Sequence, residues 1–448
     1  MTNFRIYLCT WNVGNKFPLK KFDNLLGFDS PNLPDVYAIG LQEVKGGTAS
    51  IVTSYVMDDP WTSKLTKILN GQGYVRIKGV RLQGLVLTVF CKRHHLPFMT
   101  NIESEYTRSG LGGWWGNKGG VSIRFDAYGV NVCIVNSHLA AHLEAVAERI
   151  EDYSIIVESQ QFREKETPSI LDHDYIFWMG DLNFRIDDIP RDDIIRMIKN
   201  KDLESLWSHD QLTKARQEEL ILVDFEEGPL TFPPSYKFDP GTDHYDTSSK
   251  HRKPAWCDRI LWLVHEDSFE GFQLAARQEH YTSHSEYKLS DHKPVTSVFN
   301  VKLLNITRPA IQFAPIFSWS KDGSATCVYS VDMGVKTSSW DWIGLYKANF
   351  KHLYDYVTYV YAPAPHGEHT AVVSRTVKFK KSSLRCSPGS YCLCYINGDK
   401  MFVRGMSNVF KIIDADSSSE DSSSPSSSSY GGDESDIDTG ANNEETDI

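Results

Sequence analysis

Asn12, Glu43, His138, Asp181, Asn183, Asp258, Asp291 and His292 each stand where an apolar run of the chain gives way to polar residues. Carboxylates, amides and imidazoles hold hard cations, orient water and move protons. With few cysteines beside them, the cation such a set favours is an oxygen-seeking one, magnesium before zinc. Phosphoester hydrolysis requires a metal on the phosphoryl oxygens, a group that orients or deprotonates water, and cations for the spread charge. Cations are at hand in Lys118 and in the run Lys250, His251, Arg252 and Lys253. Asp258 and His292 form a natural carboxylate–imidazole pair, the acid fixing the tautomer of the ring and raising its basicity.

The elements that must position these groups read as strands. Residues 175–179 are an apolar, aromatic-rich run that stops at Gly180-Asp181-Leu182-Asn183. Glycine at a strand end permits a sharp turn and close approach of a ligand, and Asp181 and Asn183, two apart, leave on the same side. Alone, Gly-Asp-x-Asn reads as a turn; the repetition of polar tips on other strands shifts the reading to a site. Residues 4–10 alternate into a strand ending near Asn12, and 36–41 into one closing on Gln42-Glu43-Val44. A glutamate there needs a partner, and a cation, a helix start or a surface ion pair would each serve. Residues 85–91, 130–135, 260–264 and 295–301 read as further strands, while 143–161, 190–200 and 209–220 read as helices. The stretch 110–120 places six glycines around Trp114, Trp115 and Lys118. Such a loop either presses its tryptophans into a lipid interface while Lys118 meets a phosphate, or folds them over the core.

Composition sets the frame. At 448 residues and 41% hydrophobic, the chain has material for two or three domains with proper cores. The net charge of −11 arises in the tail from residue 414, which carries eleven acids and no Lys or Arg. Without those eleven the 58 acids fall to 47, equal to the 47 bases, so charge gives no case for nucleic acid. The eight cysteines lack paired metal spacings and read as free thiols of a reducing compartment. With neither a leader pattern nor a membrane-spanning apolar run, the expectation is a cytoplasmic protein that meets membranes peripherally.

After Arg308-Pro309, runs at 317–331, 341–346, 356–361, 370–379 and 389–396, separated by Gly, Pro and Asp turns, read as a small all-β sandwich, a binding module by default. Arg375, Lys378, Lys380, Lys381 and Arg385 make a basic segment suited to anionic lipid or an acidic partner, or an ordinary charged sheet face. Eleven serines and eleven acids from 414 to 448 cannot repay ordering entropy, and that tail reads as disordered.

Trp178-Met179-Gly180-Asp181-Leu182-Asn183-Phe184-Arg185 and Pro254-Ala255-Trp256-Cys257-Asp258-Arg259-Ile260-Leu261 resemble the two signature motifs of the inositol polyphosphate 5-phosphatases, within the endonuclease/exonuclease/phosphatase superfamily. The resemblance covers roughly residues 1–305 and implies an α/β fold, a two-sheet sandwich flanked by helices with the site where strand ends converge. It further implies that Glu43 with Asn12 holds Mg2+ and that Asp291 lies close to the metal. Asp181 would activate water, Asn183 would position it, and His138 with His292, supported by Asp258, would contact the 5-phosphate. Tyr236, Lys237 and Lys250 would receive a 4-phosphate, with Asn117, Lys118 and Arg185 near the ring or its other phosphates. Trp340-Asp341-Trp342-Ile343-Gly344-Leu345-Tyr346 and Tyr391-Cys392-Leu393-Cys394-Tyr395 look like the SKICH module, giving a targeting domain over 310–413 before the acidic tail. The implied function is removal of the 5-phosphate from phosphatidylinositol 4,5-bisphosphate, the 3,4,5-trisphosphate and soluble inositol phosphates. The implied setting is a monomer recruited to a phosphoinositide surface, at the plasma membrane or endoplasmic reticulum, with protein partners on the second domain. From the residues alone, a superfamily diesterase (abasic-site nuclease or sphingomyelinase-like) and a non-enzymatic adaptor remain open.

Overall fold

The structure is a computed structural model that describes residues 3–21, 23–45, 59–110, 118–363 and 371–414. Trp114, Trp115 and Asn117 lie outside the described residues, as does the tail from 415 to 448.

The first domain begins with β1 (Asn3–Asn12), β2 (Val36–Gln42), α1 (Pro60–Gly71), β3 (Tyr74–Leu82), β4 (Leu85–Lys92), β5 (Met99–Arg108), β6 (Gly119–Ala127) and β7 (Val130–His138). It continues with α2 (Val146–Ser159), β8 (Tyr175–Asp181), α3 (Arg191–Lys199), α4 (Glu204–Trp207), α5 (Gln211–Gln217), β9 (Asp258–Val264), β10 (Ala276–Ser283) and β11 (Val295–Lys302). One sheet has the order β10-β11-β1-β2-β4-β3 and the other β5-β6-β7-β8-β9. Period-2 alternation sends Phe4, Ile6 and Leu8 between the sheets, where they meet Ile123, Ile134, Phe177 and Met179. Tyr7, Cys9 and Trp11 face outward and pack with Trp61, Leu65 and Leu69. These last three lie at i, i+4 and i+8, one stripe of α1, whose N-terminus is capped by the Asp59 carboxylate on the Trp61 and Thr62 amides. Across the second sheet Val135, Ile176 and Trp178 pack with Ile156 of α2 and Leu212 of α5. The result is the expected four layers, helix, sheet, sheet, helix.

The second domain contains β12 (Ile311–Phe313), β13 (Ser318–Ser320), β14 (Ala325–Val331), β15 (Trp342–Lys347), β16 (Tyr356–Tyr361), β17 (Val373–Phe379), β18 (Gly389–Ile396), β19 (Val403–Met406) and β20 (Phe410–Ile413). They form β12-β14-β17 and β13-β20-β18-β15-β16, with β19 paired to β18. The run expected at 317–331 is two strands in different sheets, parted at the Lys321–Ser324 turn, where Asp322 and Gly323 break the alternation. The two domains share a core. Trp342, Tyr346, Phe350, Cys392, Cys394 and Ile396 belong to the same buried cluster as the core between the first two sheets. The segment before β16 joins edge strand β3 and the end of α1: the Arg76 amide of β3 donates to Lys351 O at 2.9 Å, and Asn70 Nδ2 of α1 donates to Phe350 O at 2.9 Å. The second domain is therefore docked through an apolar face.

Candidate active site

Register places the polar tips. β7 and β8 run parallel with His138 opposite Asp181, and β8 pairs antiparallel with β9 so that Asp181 faces Asp258. In the other sheet β1 and β2 run parallel with Asn12 opposite Gln42, leaving Glu43 one residue beyond. The sheets are locked at this end by Asn136, which donates to Val86 O at 2.8 Å and accepts from Gln42 Nε2 at 2.6 Å. Gly180 lies within β8 at φ 151°, opposite Ser137, and a Cβ there would lie 2.1 Å from Ser137 O, so no side chain is tolerated. Glu43 and Asn183 both occupy the left-handed region, at φ 55° and 59°, aiming their side chains off the strand line.

Asp181 is the hub. Its Oδ2 accepts from Asn12 Nδ2 at 3.0 Å and lies 3.2 Å from His138 Nε2 and 3.8 Å from His292 Nε2. Its Oδ1 accepts the Asn183 amide at 3.2 Å. Asn12 Nδ2 also reaches Glu43 Oε1 at 3.1 Å, and Asn15 Nδ2 reaches Glu43 Oε2 at 3.2 Å. His292 Nδ1 lies 2.9 Å from Asp258 Oδ2, which also accepts from Ser235 Oγ at 2.7 Å. Trp11 Nε1 donates to the His292 carbonyl at 3.1 Å, tying that loop to the first strand.

The electrostatics separate the two imidazoles. Burial lowers the pKa of His138, and the Lys118 ammonium against its Nε2 lowers it further, so its neutral form is favoured. Burial opposes charge on His292 too, but Asp258 and Asp181 outweigh it and lift the ring to about 9. Asp181 is held well below the usual carboxylate range: burial would raise it, and His292, His138 and Lys118 more than reverse that. The site thus combines an ionised acid, a neutral imidazole and an imidazolium.

Around this hub, Arg185 Nε donates to Asn183 O at 3.0 Å and its guanidinium lies 4.1 Å from the Tyr236 ring centroid. Tyr236 packs on the His292 ring at 4.6 Å between centroids. Lys237 is ion-paired with Asp291, which also accepts from Ser290 Oγ at 3.2 Å. Three placements refine the sequence reading. The Asn183 side chain is committed, its Nδ2 donating to Leu139 O and its Oδ1 accepting from Arg185, so it orients Arg185, while its backbone N–H holds Asp181 Oδ1. Asp291 faces Lys237, whereas Glu43 is the carboxylate beside Asn12. Lys250 is exposed on its loop, with its backbone amide on Ser248 Oγ. Gln42, Asn136, Ser235 and Asn15 were missed as supports. All four sit within the same polar tips, beside the residues singled out.

Asn12, Glu43 and Asp181 bring one amide and two carboxylates from three strand ends to one point, a donor set that fits a hard divalent cation. Asp181, Asp258 and His292 also offer ligand atoms all within 4.8 Å of one another. The Asp258 and His292 atoms are engaged with each other, whereas Asn12 and Glu43 lie together at adjoining strand ends, held by Asn15 and Gly14.

A mixed two-sheet sandwich with carboxylates able to hold a divalent cation and two imidazoles at converging strand ends fits the phosphoesterase class. The family model described as Endonuclease/Exonuclease/phosphatase family 2 matches residues 9–298, and that of the SKICH domain matches 311–412. The chain belongs to this family, among its inositol polyphosphate 5-phosphatases, and carries a SKICH domain. Inositol polyphosphate 5-phosphatase K of Mus musculus is 38% identical over 421 residues, 91% of this chain and 89% of that protein. Phosphatidylinositol 4,5-bisphosphate 5-phosphatase A of Homo sapiens is 39% identical over 441 residues, 95% of this chain, which spans only 43% of that longer relative. Among solved structures, the 5-phosphatase domain of SPsynaptojanin, in complex with inositol (1,4)-bisphosphate and calcium ion, is 36% identical with a TM-score of 0.58, over 67% of this chain and 86% of that one.

Proposed function

We propose that this chain is a Mg2+-dependent phosphomonoesterase that removes the 5-phosphate from phosphatidylinositol 4,5-bisphosphate and the 3,4,5-trisphosphate, and from soluble inositol 1,4,5-trisphosphate and 1,3,4,5-tetrakisphosphate. The observation that carries the reading is the Asp181 carboxylate held between the Asn12 amide and two imidazoles, with Glu43 on the same amide. Asn12 and Glu43 would hold the metal. When bound, Mg2+ supplies charge neutralisation at the phosphoryl oxygens.

The chain's own residues do the rest. Asp181, kept ionised and fixed by the Asn183 amide, orients the attacking water and takes its proton. His292, cationic and braced by Asp258, donates to a phosphoryl oxygen as charge spreads over it, and neutral His138 contacts the same phosphate beside it. Lys118 adds a positive charge behind His138. Attack in line with the ring oxygen expels the inositol alkoxide and releases inorganic phosphate. Tyr236 and Lys237 would receive a neighbouring 4-phosphate, Lys237 exchanging Asp291 for it, and Arg185 would meet the ring. The bound inositol (1,4)-bisphosphate of the SPsynaptojanin domain, a ring without a 5-phosphate, supports this arrangement by similarity. The basic second-domain segment and the loop at Trp114 and Trp115 would bring the enzyme to a phosphoinositide surface from the cytoplasm.

The test is phosphate release, with and without Mg2+, from 4,5-bisphosphate and 4-monophosphate lipids. Wild type should act on the bisphosphate alone and only with metal; Asp181→Ala should abolish release and Lys237→Ala weaken it. Release from the 4-monophosphate, or release that ignores metal, would overturn the assignment.

A further inference from the structure

The second domain carries a groove that the phosphatase reading does not use. Val357 is an extra residue where β16 pairs with β15, the register stepping from Leu345 opposite Thr358 to Tyr346 opposite Tyr356. That bulge turns Tyr356 onto the face already occupied by Tyr359 and Tyr361. Trp342 lies edge-on to Tyr356 and Tyr359, at 5.2 and 5.4 Å between ring centroids, and Tyr359 is 5.6 Å from Tyr361. With Trp340 and Asp399 they line an open cavity of about 580 Å³. Trp340 is 64% exposed and Tyr361 55%, and β16 is the outermost strand of its sheet. Clustered exposed aromatic rings of this kind mark a binding surface.

We propose that this groove binds a proline-rich segment of a partner protein, in polyproline II conformation and flanked by a basic residue. Rings set edge to face at regular spacing leave slots for pyrrolidine rings, and tyrosine and tryptophan supply donors for the solvated carbonyls of that helix. Such a ligand is already extended, so little ordering entropy opposes binding. A cavity of about 580 Å³ is too large for one methylated ammonium and suits several residues of peptide. The one charged side chain among the described lining residues is Asp399, which selects an arginine or lysine flank and repels an anionic lipid surface. The inference is independent of the chemistry in the first domain.

The experiment uses the full chain and a short synthetic polyproline peptide ending in arginine, followed by isothermal titration calorimetry. A glutamate-terminated peptide and phosphatidylserine vesicles are the comparison probes. Saturable binding of the arginine peptide is expected, weakened about tenfold or more by Tyr361→Ala and by Asp399→Lys, with thermal unfolding unchanged because both side chains are exposed. Asp399→Lys should improve binding of the glutamate-terminated peptide. No binding of the arginine peptide, or binding indifferent to both variants, overturns the proposal; vesicle binding lost in Tyr361→Ala without peptide binding assigns the groove to a membrane instead.

Discussion

Phe350→Ala tests whether the two domains are one cooperative body. Phe350 is 2% exposed, packs on Tyr346 at 4.7 Å between centroids, and lies 5.3 Å from the Arg93 guanidinium of the first domain. Its carbonyl accepts from Asn70 and Arg93, so the main chain should hold its place while the ring is removed. Truncating a buried phenylalanine costs about 3–5 kcal/mol. Unfolding entropy runs to about 2.1 cal/mol/K per residue, or about 0.8 kcal/mol/K for a unit of about 400 residues. The same loss of about 4 kcal/mol then lowers Tm by about 5 °C if the domains unfold together. Confined to a module of about 100 residues it would lower that module's own Tm by about 20 °C. Differential scanning calorimetry, with residual phosphate release followed over the same ramp, separates these cases. One transition shifted by a few degrees, with activity lost in step, is expected. Two transitions, one falling steeply while the other and the activity stay put, would refute the shared core.

Other outcomes follow from the site. Because His292 is lifted to about 9 from an unfolded value near 6.5, its charge contributes stability fully present below about 6.5 and lost as pH rises through about 9. A pH profile of kcat/KM should therefore fall on its alkaline side, and Asp258→Asn should move that fall toward acid; an unmoved limb would remove His292 from the role. Glu43→Gln should raise the Mg2+ concentration needed for half-maximal release about tenfold or more, with Tm in the absence of metal little changed. Gly180→Ala should cost several kcal/mol or prevent folding, read by denaturant titration, because its Cβ has only Ser137 backbone atoms to displace. Asn136→Leu should destabilise by about 1–3 kcal/mol by removing the side-chain donor to Val86 O and leaving Gln42 Nε2 with Thr10 Oγ1 alone.

The hub was legible because its chemistry sits at strand ends. Apolar runs such as 36–41 and 175–179 announce buried central strands, and a polar residue that ends one has few positions available. Edge strands announce themselves poorly. β10 reads Ala-Arg-Gln-Glu-His-Tyr-Thr-Ser and is mostly solvated, and β3 alternates basic and apolar residues; β6 is an interior strand whose two opening glycines hide it, so none carried a strand signal strong enough to be singled out. Side-chain direction was also beyond reach: that Asn183 turns inward to Leu139 and Arg185, or that Asp291 meets Lys237, depends on left-handed φ and loop packing between residues far apart in the chain.

The docking of the second domain shows a signal that was present and can be used. β15 and β18, reading Trp-Ile-Gly-Leu-Tyr-Lys and Gly-Ser-Tyr-Cys-Leu-Cys-Tyr-Ile, have long apolar runs where a sandwich with one wet face would alternate. Both faces are spoken for. Ile343, Leu345, Leu393 and Tyr395 fill the module's own core, while Trp342, Tyr346, Cys392, Cys394 and Ile396 join the core of the first domain. An apolar run without alternation in an antiparallel module therefore reports a second partner, here another part of the same chain. What remains open is the outer end of the docked face, at edge strand β16, where Tyr359 and Tyr361, opposite Gly344 and Trp342, stay exposed although Trp342 is buried. Docking through β15 and β18 thus fixes the orientation of that groove relative to the strand ends of the first domain, so a protein bound there would hold the catalytic face at a set attitude to whatever surface it brings the enzyme to.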